Sequence, residues 1–89
     1  MNWSVDFTKQ SEKFLKANNL AKEEIFEAIR KTVRKFEGEN NNIDLKKLKG
    51  EWAGFYRIRI GKLRIIAEFD FDNQSVFVEA VDWRGNIYK

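Results

Sequence analysis

The sequence predicts an α+β domain in which an N-terminal strand and an α-helical hairpin precede a three-stranded antiparallel sheet, in the order β-α-α-β-β-β. Three patterns predict it. Between residues 21 and 36 the apolar side chains Ile25, Phe26, Ile29, Val33 and Phe36 recur at spacings of three and four, which is one stripe of an amphipathic helix. On both sides of Gly61-Lys62 apolar and polar residues alternate, the mark of a β-hairpin. At the start, "WSVDF" is a short β-prone alternation.

Each element follows from local chemistry. The first strand is expected over Asn2 to Asp6, with Phe7 packing beneath the helix that it introduces and Thr8 as N-cap. That helix, about residues 8–17, buries Phe14 and Leu15 and stops at "ANN", where Asn18 or Asn19 takes a left-handed conformation. The second helix runs from Ala21 to about Phe36. Its outer side carries Glu23, Glu24 and Glu27 early and Arg30, Lys31 and Lys35 late, an order that complements the helix dipole and marks a solvated face. Residues 37–54 read as a polar connector in which Gly38 stops the helix and Ile43, Leu45 and Leu48 pin a short ordered stretch. Strands follow at about 55–60, 63–70 and 75–82.

Composition limits the chemistry. With 89 residues the chain is expected to form one domain, residues 1–89, and 43% hydrophobic and 15% aromatic content is ample for a core. Cysteine and histidine are both absent, which removes thiolate nucleophiles, the commonest zinc ligands and the usual near-neutral acid/base. The first ten residues have no basic segment followed by an apolar one, and no stretch reaches membrane-spanning length; a soluble cytoplasmic protein is expected, with no cofactor and no metal. The charge is segregated. Residues 45–64 hold seven basic side chains against one acid, whereas residues 65–89 hold five acids against two bases, a layout that suits an anionic partner.

The hairpin states the problem most sharply. A two-residue type II′ turn at Gly61-Lys62 sets Ile60 opposite Leu63, Arg59 opposite Arg64 and Arg57 opposite Ile66. Tyr56, Ile58, Ile60, Leu63, Ile65, Ala67, Phe69, Val76, Val78 and Ala80 then share the core face under the helices. Phe55, Arg57, Arg59, Arg64, Ile66, Glu68, Phe77, Glu79 and Val81 share the other face, where Arg64 is expected to be exposed. Two arginines facing each other across strands cost a few tenths to about 1 kcal/mol. One compensation is internal: a turn at Asp72-Asn73 brings Glu79 diagonal to Arg64 and Glu68 diagonal to Arg57, leaving Arg59 without a partner. The other is external, a phosphate gripped by guanidinium groups.

The last strand returns toward Gly61, so "DWRGNIYK" is expected to deliver Trp83, Arg84 and Tyr88 beside Arg59 and Arg64. Catalytic metal sites, Walker or Rossmann phosphate loops and a matched carboxylate pair find no support in the motifs. RNA cleavage fits better, because RNA supplies its own 2′-hydroxyl nucleophile. The protein needs only to align it, take its proton, stabilise a pentacovalent phosphorane and protonate the 5′-oxygen. Arg59, Arg64, Arg84 and Tyr88 are the candidate catalytic residues, with Tyr88 the base if neighbouring arginines lower its pKa. Lys46, Lys47, Lys49, Arg57, Lys62 and Trp83 are the candidate RNA contacts. All of this requires the guanidinium groups to gather outside the core as an open seat for phosphate rather than being locked by carboxylates.

The segments "LKKLKG", "GFYRIRIGKLRIIAEFD" and "VFVEAVDWRGNIY" resemble the RelE/ParE superfamily of bacterial toxin-antitoxin toxins, and the preceding β-α-α order fits as well. The resemblance implies an α+β toxin that enters the ribosomal A site and cleaves mRNA without a metal, contacting mRNA and rRNA and silenced by a cognate antitoxin. It implies substrate-holding roles for Arg57 and Arg59, phosphate stabilisation by Arg64, leaving-group work by Arg84 and a base at Tyr88. Trp83 departs from the pattern, in which His or Lys often precedes the late arginine. The same superfamily holds ParE-like toxins that poison DNA gyrase without nuclease activity. A third class, an inactive module that binds antitoxin or nucleic acid, also remains open.

Overall fold

The computed structural model describes residues 2–85. Its elements are β1 (Ser4–Phe7), α1 (Lys9–Ala17), α2 (Lys22–Phe36), β2 (Asp44–Lys47), β3 (Phe55–Ile60), β4 (Leu63–Asp70) and β5 (Ser75–Trp83), with a single 3-10 turn at Gly50–Trp52. One sheet has the order β1-β5-β4-β3-β2, with β1 parallel to β5 and the other pairs antiparallel. The α+β class and the β-α-α opening are as predicted. The sheet, however, has five strands, because β1 joins it and because part of the expected connector forms β2. Among the described residues no helix is long and apolar enough to cross a membrane.

Both helices end where the sequence places their stops. Asn19 at φ 53° and Gly38 at φ 99° adopt the left-handed conformation. In each case a following amide reaches back to the last turn, Leu20 N–H to the Leu15 carbonyl at 2.8 Å and Glu39 N–H to the Arg34 carbonyl at 2.9 Å, closing a Schellman motif. At the other end of α1, Thr8 Oγ1 accepts from the Ser11 amide at 3.2 Å, the expected N-cap. The Gly61-Lys62 turn has Gly61 at φ 56°, as type II′ geometry demands. All three predicted pairs, Ile60 with Leu63, Arg59 with Arg64 and Arg57 with Ile66, are observed.

The helical hairpin covers one face of the sheet. Leu15, Ile25, Ile29 and Val33 meet Ile58, Leu63, Ile65, Ala67, Val76, Val78 and Val81 there. This core departs from the predicted alternation at one place. The β4–β5 register slips between Ile66 and Ala67: Ile66 pairs with Ala80 and Ala67 with Val78, so Glu79 bulges out. A bulge reverses the parity of all that follows. Val81, expected on the outer face, is sealed in the helix-side core, and Ala80, expected in that core, packs outside against Ile66 and Leu48. Glu79 therefore does not pair diagonally with Arg64.

The outer face is not bare. Leu48, Trp52 and Phe55 fold over Ile66 and Ala80 as a second, smaller cluster, leaving Ile66 at 0% exposure. Ile60, assigned to the core by alternation, lies at the open end of the hairpin and is 38% exposed. At the opposite end, the β4–β5 turn is held by Asp70, which accepts from the Asn73 side-chain amide at 2.8 Å and the Asn73 backbone amide at 3.1 Å.

The Thr8 hydroxyl donates to the Glu79 carbonyl at 2.8 Å as well as capping α1. Thr8→Ala is accordingly expected to lower stability by about 1–2 kcal/mol in urea unfolding. Asp70 gives a pH-dependent expectation. The two Asn73 bonds hold its carboxyl below the ordinary 3.8, so its contribution is complete above that value and is lost as pH falls through the lower, folded-state one. The stability gap between wild type and Asp70→Ala should thus be constant near neutrality and close below pH 3.8.

Candidate nucleic-acid interface

The arginine cluster is assembled by three neighbouring strands. Alternation puts Arg57 and Arg59 of β3 on the side away from the helices, β4 sets Arg64 across from Arg59, and β2 sets Asp44 across from Arg59 and Lys46 across from Arg57. The carboxylate that answers the arginines is Asp44, from the strand that the sequence hid in a connector. Its Oδ1 accepts a hydrogen bond from Arg57 Nη2 at 3.0 Å, and its Oδ2 forms an ion pair with Arg59 Nε at 2.7 Å. Glu68 and Glu79, the acids expected to compensate, make no ion pair with these arginines among the described residues. Arg59, expected to lack a partner, has one.

Arg64 also differs from expectation. It is 7% exposed, enclosed on the outer face instead of standing in solvent. Nη1 donates to the Gly61 carbonyl at 2.8 Å and the Leu63 carbonyl at 3.0 Å, which fixes the guanidinium from one edge, while Nε and Nη2 bond to no described residue. Burial lowers its pKa, and the charges of Arg59, Arg57 and Arg84 lower it further, with Asp44 opposing. For a base with a lowered folded-state pKa, the cost of the charge persists at every pH below that value. Burial and like-charged neighbours thus both oppose the charge of Arg64, and Asp44 is the group that eases it.

The requirement of an open arginine seat is thus met in part. Arg57 and Arg59 are carboxylate-paired, and Arg64 has no carboxylate partner among the described residues. Arg57 is 15% exposed at its side chain and its Nε is a buried nitrogen with no partner among the described residues. One negative charge stands among three guanidinium groups, and Arg84 acts on Arg64 as an additional like charge. Arg84 is tied to the hairpin through its backbone amide, which donates to the Lys62 carbonyl at 2.8 Å.

The candidate RNA contacts divide between the two sides of the molecule. Lys46, Lys47 and Lys49 join Leu48, Trp52 and Arg57 around a cleft of about 390 Å³. Lys62 and Trp83 line a different, largely apolar groove of about 560 Å³ on the helix side, with Leu20, Ile43, Ile60 and Leu63. Trp83 packs edge-on against Phe14 at 5.3 Å, and its Nε1 donates to Asn18 Oδ1 at 3.3 Å. The Glu79 bulge explains this: with Val81 turned inward, Asp82 faces outward and Trp83 inward again. Asp82 pairs in register with Arg64 but its Oδ1 accepts from the Trp83 amide at 2.7 Å. Tyr88 lies outside the described residues.

Because two carbonyls and a buried stem depend on it, Arg64→Ala is expected to fold with stability reduced by about 1–2 kcal/mol. Urea unfolding checks this, and an unchanged midpoint would place the guanidinium in solvent.

No protein-family profile and no curated protein matches the chain. Solved structures do match. The chain is 25% identical to a protein in the RelE-RelB complex of Pyrococcus horikoshii, with a TM-score of 0.61 and coverage of 97% of this chain and 99% of that one. A copper-bound mutant toxin from Helicobacter pylori superposes with a TM-score of 0.71 at 17% identity, covering 97% and 99% of the two chains. A mutant YafQ from Escherichia coli gives 0.69 at 9% identity, covering 99% and 100%. With these likenesses, this chain's five-stranded sheet, two helices on one face and basic central hairpin form a RelE-like toxin fold.

Proposed function

We propose that the protein is the toxin of a type II toxin-antitoxin system, a metal-independent endoribonuclease that cleaves mRNA in the ribosomal A site. The observation that carries this is Arg64: a guanidinium fixed by two carbonyls, free of carboxylates among the described residues, and surrounded by Arg57, Arg59 and Arg84. A group held in this way costs no reorganisation when negative charge develops on a phosphorane, the property that electrostatic catalysis needs. Arg64 stabilises the phosphorane, with Arg59 beside it; Arg57, Lys46, Lys47 and Lys49 track the RNA backbone along their cleft; Arg84 serves the leaving 5′-oxygen; Tyr88 takes the 2′-hydroxyl proton. Lys62 and Trp83 stand on the other side, and their RNA role is as flanking contacts to mRNA or rRNA.

The partner reading is a cognate antitoxin in the cytoplasm. It is supported by the RelE-RelB complex and by the YoeB-YefM complex of Staphylococcus aureus among the structural relatives. The groove beside Trp83 has an apolar floor and a charged rim of Glu23, Glu24, Glu27, Lys31 and Lys62 that suit an amphipathic segment with charged flanks.

The hold of Asp44 on Arg57 and Arg59 favours the second reading, a ParE-like inhibitor of DNA gyrase without nuclease activity, or an inactive binding module. Induced expression separates the three. Growth arrest with mRNA cuts mapped by primer extension is expected; SOS induction without cuts supports the gyrase inhibitor, and harmless expression the inactive module. In the same assay Tyr88→Phe is expected to slow cleavage about a hundredfold or more, the lower end of general acid–base contributions. Wild-type rates in that variant would remove the tyrosine from the base role.

A further inference from the structure

We infer that Asp44 is an internal counter-anion occupying the seat on Arg57 and Arg59 that a phosphate group takes, so that phosphate binds this face by exchange with the carboxylate. The inference rests on the nucleic-acid reading above for the identity of the anion, and on three observations for the exchange itself.

The first is geometry. One carboxylate places an oxygen on each of two guanidinium groups, at 3.0 Å and 2.7 Å, the spanning contact that two phosphate oxygens make with a pair of arginines. The second is incomplete satisfaction. Both carboxylate oxygens are committed, yet the buried Arg57 Nε has no partner among the described residues. A tetrahedral anion carries more acceptor oxygens than a carboxylate and can serve that nitrogen as well. The third is the setting of Asp44. It begins a four-residue strand at the edge of the sheet and its side chain is 40% exposed. It can therefore turn away into solvent while β2 stays paired with β3, and the incoming anion is drawn by Lys46, Lys47 and Lys49 nearby.

Exchange explains why a carboxylate sits in a cluster built for anions. Without Asp44, Arg57, Arg59 and Arg64 would face one another uncompensated in the free protein. With it, the cluster folds, and an anion wins the seat only if it offers more contacts than the carboxylate it replaces.

The test uses the full chain and inorganic pyrophosphate as probe. Asp44→Asn keeps the side-chain shape and removes the charge. Calorimetric titration is expected to show that it binds pyrophosphate about two- to fivefold more tightly than wild type, the scale of a partly exposed charge pair. Equal or weaker binding, or no binding by either protein, overturns the inference. A second measurement needs no variant: in wild type, the carboxyl carbon signal of Asp44 and the Nε signals of Arg57 and Arg59 should move together as pyrophosphate is added. An Asp44 signal that stays fixed at saturation overturns the exchange even if Asp44→Asn fails to fold. Exchange without any mRNA cleavage would remove the nuclease reading alone, and cleavage without exchange would remove this inference alone.

Discussion

The end of β5 depends on a small set of hydrogen bonds from the first turn of α1. Beyond Phe7 the parallel partner of β5 stops, and on that side its backbone groups would be left open within the fold. The Thr8 amide and the Ser11 hydroxyl donate to the Val78 carbonyl, the Thr8 hydroxyl to that of Glu79, and Gln10 both donates to and accepts from Val81. These bonds give the bulged strand the partners that a buried backbone requires. They also set its parity. Once Glu79 is extruded, Val81 closes the core, Trp83 goes to the helix side, and Arg84 emerges at the arginine end of the hairpin.

The second constraint is electrostatic. Opposing Arg59 and Arg64 on adjacent strands is unfavourable, and the fold offsets it in two different ways. Asp44 neutralises the exposed side of the cluster, while backbone carbonyls of the turn hold the enclosed guanidinium of Arg64. The outcome is asymmetry: Arg59, at 48% side-chain exposure, is open to a second anion, whereas Arg64 is enclosed and held by two carbonyls. A rigid positive group beside an adaptable one is suited to binding a charge and then stabilising its redistribution.

Much of this was legible in the chain. Strong periodicity revealed α2, the Thr8 cap and the asparagine stop bounded α1, both stops lay in residues that tolerate left-handed backbone, and the glycine-led turn set the hairpin register pair by pair. What was hidden follows from weaker signals. Ile43 and Leu45 flanking Asp44 form a period-two pattern, but four residues after a run of asparagines is too short a strand to stand out, so the carboxylate partner of the arginines was missed with it. The bulge at Glu79 arises from contacts with residues about seventy positions away, which local alternation does not register. Arg64 looked exposed because alternation identifies a face, not what covers it. Trp52 and Phe55, read as connector and strand edge, help to roof that face.

The parallel pairing of β1 with β5 joins two strands that lie about seventy residues apart in the chain. Helix α1 likewise rests on β5, to which its first turn is hydrogen-bonded. Neither can complete its contacts until β5 is in place, so closure of the domain is a long-range event that topology makes slow.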